Sequence, residues 1–362
     1  MIAGTGAKKL PPAEFDDLKR DSSAQLAAGR HPPAWRGTAG AYNRHFSAAV
    51  RCTLRETMPV DLSVEIAGLR LANPVLASSG TFGYGLEFAH LVDLNRLGGL
   101  VVKGLSLEPM EGAPAPRVCE TPSGMLNAIG LQNVGVRAFV AEKLPKLAVY
   151  RTAVVANVFG TTVEEYCEVL RILEDASGLA AYELNISCPN VKKGGLQFGS
   201  DPGLAAEVVS AAKRTISKRP LWVKLSPLVS DIAVMARTVS EAGADALTIA
   251  NTYPAMAVDV TTRSSRIASP TGGLSGPAIR PVTLRLVHEA SKAVKIPILG
   301  LGGIEKADDA LEYLLVGASA VQVGTAHFAD PRASERLVRS LERRCNELNI
   351  HKISAIQGGL RA

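Results

Sequence analysis

Cys188 lies in the string NISCPN (185–190), and lysines close two separate apolar runs, at Lys103 and at Lys224. A thiol beside ammonium groups can act as nucleophile or general base, because positive charge favours the thiolate over an ordinary pKa of about 8.5. Without such neighbours an isolated cysteine is most often a small buried apolar residue. Cys119, Cys167 and Cys345 are read that way, and Cys52 belongs to the N-terminal region. No two of the five cysteines are close in sequence, which excludes CxxC redox pairs and local zinc knuckles, and the six histidines form no HExxH, so no metal site is indicated. The remaining chemistry-bearing residues are carboxamides, hydroxyls and glycines: Ser79, Asn157, Asn185, Asn251 with Thr252, Gly302 with Gly303, and Gly324 with Thr325. Carboxamides read donor and acceptor edges and lysines meet negative charge, a set that suits a planar, amide-bearing anion. Glycines let a backbone approach phosphate oxygens that a Cβ would hold away.

Each of these residues also has a plain explanation, since Asn and Gly end strands as turn formers. Their position argues otherwise. Eight short runs rich in Val, Ile, Leu and Ala recur at 74–79, 99–103, 153–158, 181–187, 221–226, 245–250, 296–301 and 319–324. Near-continuous apolar runs are what strands buried on both faces require. Between them lie amphipathic stretches such as TTVEEYCEVLRILEDA (161–176). Strand and helix alternating eight times predict a (β/α)8 TIM barrel. A doubly wound sheet is disfavoured because the nearest string to G-x-G-x-x-G, GLGGIE (300–305), puts Glu305 where the third Gly belongs. In a barrel the strand ends meet at one rim, so all the residues above form a single polar ring, and the late loops at 302–304 and 324–325 are placed to hold a phosphate. Strand-end lysines also admit a Schiff-base aldolase, a chemistry with no use for Cys188 or for so many carboxamides.

The chain has 362 residues, 47% hydrophobic and 20% charged, with a net charge of +6. Residues 1 to 57 hold nine Lys/Arg against five Asp/Glu and show no sustained apolar period, so they are read as a flexible, disordered extension. Translation from Met58, directly before the first strand, is an alternative start. The organisation expected is therefore an extension (1–57), a catalytic barrel (58–350) and a C-terminal tail (351–362). The remainder is close to neutral and lacks aromatic RNA-binding or zinc-finger motifs, which argues against nucleic acid as a partner. No apolar run reaches the roughly 18 residues of a membrane span and no secretory h-region opens the chain, so a cytoplasmic location is expected.

The strings NAIGLQN (127–133), ELNISCPNVKKGG (183–195), VKLSP (223–227), TGGLSGPAIRP (271–281), GLGGI (300–304) and GASAVQVGTA (317–326) together resemble the catalytic subunit of class 1 dihydroorotate dehydrogenases, in the same order from Val60 to Asn349. The continuation after the cysteine motif is more similar to the NAD-linked 1B branch than to the fumarate-using 1A branch. The resemblance implies an FMN-binding barrel that oxidises dihydroorotate to orotate in pyrimidine biosynthesis, with Cys188 removing the C5 proton while hydride leaves C6 for the flavin N5. It implies substrate contacts at Lys103, Asn127, Ala128, Ile129, Gly130, Leu131, Asn185, Asn251 and Thr252. It implies FMN contacts at Ser79, Lys103, Gly104, Asn157, Asn185, Lys224, Ala250, Gly276, Gly302, Gly303, Gly324 and Thr325. An electron-transfer subunit carrying FAD and a [2Fe-2S] cluster, in a homodimer or heterotetramer, goes with the 1B branch, and this chain has no cysteine spacing for a cluster. Two features depart from the pattern: the extension, and Ala257 where relatives often carry Arg. A dihydropyrimidine-dehydrogenase-like activity shares the cysteine motif, and NAIGL argues against it.

Overall fold

The computed structural model describes residues 59–187 and 198–361; the extension 1–57 and Cys188 lie outside the described residues. Eight parallel strands close into a barrel: β1 (Val75–Ala77), β2 (Gly99–Val101), β3 (Ala153–Val158), β4 (Ala181–Asn185), β5 (Leu221–Lys224), β6 (Ala246–Ile249), β7 (Ile298–Leu301) and β8 (Ala320–Val323). They are the eight runs expected from the sequence, and β2, β4, β5, β6 and β8 are buried along their whole length. Burial on both faces explains why these runs are apolar throughout rather than alternating.

The outer layer includes helices α1 (Val163–Glu174), α2 (Pro202–Thr215), α3 (Ile232–Glu241), α4 (Arg280–Ala293), α5 (Ala307–Leu315) and α6 (Ala333–Glu347). Three of them start at a side chain that accepts a backbone N–H of the first turn: Thr162 from Glu165, Asp201 from Leu204, and Asp231 from Ala233 and Val234. Such caps satisfy donors that the helix leaves without internal partners. Helix α1 turns Tyr166, Val169, Leu170 and Leu173 inward. Alternation is not strict. Between β1 and β2 the only helical element is a 3-10 turn, Leu94–Arg96, after a stretch in which Gly80, Gly83 and Gly85 take positive φ angles that a helix does not accept.

Two long connections build a second structure above the barrel. Strands Val118–Thr121 and Gly124–Asn127 from the segment after β2 join Tyr253–Ala255 and Gly272–Ser275 from the segment after β6 in a four-stranded antiparallel sheet. At the other end of the chain, residues 351–361 are tied to the barrel domain. The Asp61 N–H donates to the His351 carbonyl and the Ile353 N–H to the Asp61 carbonyl, both at 2.9 Å, and Ile353 is buried.

Gly300 on β7 faces the helix layer rather than the interior. A Cβ there would stand 2.3 Å from the Tyr313 ring, and the Tyr313 hydroxyl donates to the Gly302 carbonyl at 2.8 Å. Overfilling a packed contact of this kind costs on the order of 1–3 kcal/mol. Gly300→Ala is therefore expected to lower the unfolding free energy, measured by denaturant titration, by about that amount, and an unchanged value would show that Tyr313 yields freely.

Candidate active site

A cavity of about 430 Å³ opens at the C-terminal rim of the barrel, within the size range of small-ligand sites. Its floor is the strand ends. Its side wall is the antiparallel sheet with the 128–131 turn.

The structure brings to this cavity the sequence-derived residues Ser79, Lys103, Gly104, Asn127 to Leu131, Asn157, Asn185, Lys224, Asn251, Thr252, Gly276, Gly302, Gly303, Gly324 and Thr325. Ala250 is not among the lining residues; it is fully buried, its N–H donating to the Leu301 carbonyl at 3.2 Å. Sequence reasoning missed Phe159, Pro254, Thr271, Gly273, Ser275 and Phe328, which also line the cavity. The glycine-rich string TGGLSGP was the available signal for three of them.

The carboxamides are held with fixed polarity. Asn185 Oδ1 accepts from the Ser187 hydroxyl (2.7 Å) and N–H (3.3 Å), so its NH2 is left for the cavity. The Ser187 oxygen in turn accepts from Asn251 Nδ2 at 2.7 Å, and Asn251 Oδ1 accepts the Thr252 N–H at 2.8 Å. Asn127 has the opposite sense: its Nδ2 donates to the Gly273 carbonyl at 3.0 Å, leaving Oδ1. Asn157 Nδ2 donates to Glu183 Oε1 at 2.7 Å, and its buried Oδ1 has no hydrogen-bond partner among the described residues. The wall thus offers both donors and acceptors, as recognition of cyclic amides requires.

Beneath Asn157 lies Glu183, a wholly buried residue that the sequence reading passed over as part of an apolar run. Its second oxygen, Oε2, accepts from the Thr248 hydroxyl (2.7 Å) and from Gln322 Nε2 (2.6 Å). A glutamate inside a buried strand is rare unless paired, and its partners here come from strands distant in sequence.

Positive charge comes from two sides. Lys224 is 3% exposed at the end of β5, opposite Asn185 and Thr248 in register. Burial holds the Lys103 ammonium below the usual lysine pKa, and the nearby Arg117 adds to the effect.

Three loops crowd together on the far side. Gly276, Gly302 and Gly303 have φ of 95°, 148° and 67°. A Cβ on Gly303 would meet the Gly276 carbonyl at 2.7 Å, and one on Gly324 would meet the Ser78 hydroxyl at 2.9 Å. The Thr325 hydroxyl donates to the Ser275 oxygen at 2.7 Å, tying the β8 loop to the glycine-rich one. Backbone brought this close, with hydroxyls beside it, is suited to an anionic group.

The chain was compared with known proteins. The Dihydroorotate dehydrogenase family matches residues 61–345. A putative dihydroorotate dehydrogenase A (fumarate) of Solibacter usitatus is 58% identical over 304 residues, 84% of this chain and 100% of the relative. The dihydroorotate dehydrogenase B (NAD(+)) catalytic subunits of Pelobacter propionicus and of a Geobacter species are each 54% identical, over 84% and 83% of this chain and 99% and 98% of the relative. Among solved structures, the DHODH of Eimeria tenella in complex with ferulenol superposes with a TM-score of 0.69 at 22% identity, covering 82% of this chain and 88% of that one. At that identity the likeness speaks for the fold.

His327 follows Thr325 on the short helix Ala326–Ala329 at the cavity rim. It is 2% exposed, packs against Phe82 with ring centroids 4.6 Å apart and the rings tilted by 47°, and shares a 2.8 Å hydrogen bond between Nε2 and the Ser334 hydroxyl. Burial pushes its pKa down to about 4 from 6.5. The unfolded chain binds a proton near pH 6.5 that the folded chain refuses until about pH 4, so stability present above 6.5 is lost as pH falls through that window. Unfolding free energies at pH 7 and pH 5 should differ by about 2 kcal/mol on this account. His327→Gln should flatten the difference, and an equal slope in both proteins would remove His327 as its source.

Proposed function

Because the chain belongs to the dihydroorotate dehydrogenase family, we propose that it oxidises dihydroorotate to orotate with an FMN held in the rim cavity, as the catalytic subunit of a class 1B, NAD-linked enzyme in pyrimidine biosynthesis. The observation that carries this reading is the fixed, mixed polarity of the carboxamides between the half-buried Lys103 and the buried Lys224. It matches a ring bearing amide N–H and carbonyl groups together with a carboxylate.

The residues also fit FMN. The buried Asn157 Oδ1 awaits a donor, and Gly276, Gly302, Gly303 and Gly324 bring cavity-lining backbone together so closely that a Cβ on any of them would press on neighbouring protein atoms. Gly302, Gly303, Gly324 and Thr325 would hold the phosphate on backbone and hydroxyl donors. Ser79, Gly104, Asn157 and Lys224 would line the ring system, with Lys224 neutralising negative charge there. The chemistry that FMN supplies when bound is uptake of the hydride from the substrate ring.

On the substrate side, Lys103 would meet the carboxylate, Asn185 and Asn251 would donate N–H groups to ring carbonyls, and Asn127 with the 128–131 turn would complete the ring's hydrogen bonds. Ser187 ties Asn185 to Asn251 and directly precedes Cys188 in the chain. Cys188 would take the proton from the carbon next to the one losing hydride, so that proton and hydride leave on opposite faces of the ring. The antiparallel sheet closes the wall on the substrate and limits water.

The printed names of the relatives divide between fumarate and NAD(+) as acceptor. The VKKGG string at 191–195 favours the NAD(+) side. A separate electron-transfer subunit with FAD and a [2Fe-2S] cluster, in a heterotetramer built on a homodimer, would carry the electrons onward. No helix among the described residues is long and apolar enough to cross a membrane, and a cytoplasmic location goes with this reading.

Anaerobic addition of dihydroorotate to the purified chain should bleach the flavin absorption bands. Cys188→Ala should keep the oxidised flavin spectrum while slowing bleaching at least about 100-fold, the usual scale of a lost general base. A flavin that stays oxidised in the unmodified chain would overturn the proposal. Orotate affinity should fall as pH rises through the lowered pKa of Lys103, at lower pH than an ordinary lysine would impose, since the ammonium is the charged form. Lys103→Met should abolish that pH dependence; a titration of the same shape in the variant would assign it elsewhere.

A further inference from the structure

We infer that Glu183 is a positioning residue for the cofactor: it sets which end of the Asn157 carboxamide faces the flavin. The inference rests on the FMN reading above.

Glu183 is fully buried and its oxygens accept from three different strands, Asn157 on β3, Thr248 on β6 and Gln322 on β8. Thr248 and Gln322 are themselves fully buried and do not line the cavity. Asn157 alone of the three reaches it. Any influence of the carboxylate on a ligand by contact therefore passes through Asn157.

A carboxamide has nearly the same shape in either orientation, so packing alone does not choose between presenting C=O and presenting NH2. Glu183 makes the choice. With Oε1 accepting from Nδ2 at 2.7 Å, the other end of the amide must be the acceptor Oδ1. That oxygen is buried without a partner among the described residues. Gly104 keeps it reachable, since a Cβ at 104 would stand 2.9 Å from Asn157 Oδ1 and 3.1 Å from the Phe159 ring. A buried acceptor left open in a cavity wall costs stability, which a ligand N–H would return. Flavin carries such an N–H on its pyrimidine ring. Turned over, Asn157 would meet it with a second donor.

The cost of burying a carboxylate fits this role better than a packing role. An apolar side chain would fill the barrel centre without desolvating charge. The three donors arranged around Glu183 make sense where the orientation of an amide is what must be kept.

The test is a double-mutant cycle on FMN affinity, with FMN titrated into the apoprotein and its fluorescence followed. Glu183→Leu removes both acceptors, and Glu183→Gln keeps one. Each is made in the natural background and with Asn157→Ala. Glu183→Leu is expected to weaken FMN about tenfold when Asn157 is present and less than about twofold when it is absent. Glu183→Gln should show the same pattern with a smaller loss, and it carries the cycle if the Leu variant does not fold. Melting temperatures of the four apoproteins report the structural share of Glu183 separately, including its hydrogen bond to Asn157. Equal losses of FMN affinity with and without Asn157, or no loss in either, would overturn the inference. An unmodified chain that takes up no FMN would sink the cofactor reading itself, and this inference with it; FMN uptake with equal losses sinks this inference alone.

Discussion

Closure of eight parallel strands is the constraint from which the site follows. In a closed parallel barrel every strand must end at the same rim, so residues far apart in the chain become neighbours without specific long-range pairing. Lys103, Asn157, Asn185, Lys224, Asn251, Gly302 and Gly324 follow or end seven different strands, and all line one cavity. The strands themselves need only be apolar and of the right length. Helices pack directly on them, as Tyr313 of α5 does on Gly300, and the Tyr313 hydroxyl also donates to the Gly302 carbonyl at the rim.

Polar groups in the barrel centre are costly, and their distribution is informative. The buried side-chain atoms without hydrogen-bond partners among the described residues include Asn157 Oδ1, Gln322 Oε1, Trp222 Nε1 and His327 Nδ1. Asn157, Trp222 and Gln322 sit on barrel strands, and His327 follows the last of them. Each such atom forfeits about 1–3 kcal/mol of desolvation. A fold optimised for stability alone would place apolar residues there. Departures of this kind gather where function competes with stability.

Much of this was legible in the sequence because the relevant signals are local. A strand buried on both faces writes a continuous apolar run, and its last polar residue marks the rim, so Asn157, Asn185, Lys224 and Thr325 could be found from the run alone. Glu183 could not be found that way. One acidic residue inside AYELNIS reads as noise until its three donors, on strands distant in sequence, are seen together. The antiparallel sheet was equally hidden. Its strands are three or four residues long, drawn from two segments more than a hundred residues apart, and Gly272 and Gly273 have no strand propensity; they are there because their neighbours leave no room. A Cβ on Gly273 would stand 2.1 Å from the Thr252 hydroxyl. Ala250 directly follows β6 in sequence and is fully buried beside the cavity rather than lining it.

The division between rim and sheet also separates two kinds of specificity. Groups placed by strand ends, among them Asn157, Lys224 and the glycine corner, are held by the barrel's own packing and cannot move without disturbing it. Asn127 and the turn at 128–131 belong to the sheet, where Asn127 is oriented by the Gly273 carbonyl of a neighbouring loop strand rather than by a barrel residue. Loops tolerate change more readily than the elements they join. The rim groups are thus bound to the stability of the whole domain, while the sheet wall is freer to be rebuilt. Ser187 ties two of the rim groups together, its hydroxyl donating to Asn185 Oδ1 at the end of β4 and accepting from Asn251 Nδ2 beyond β6.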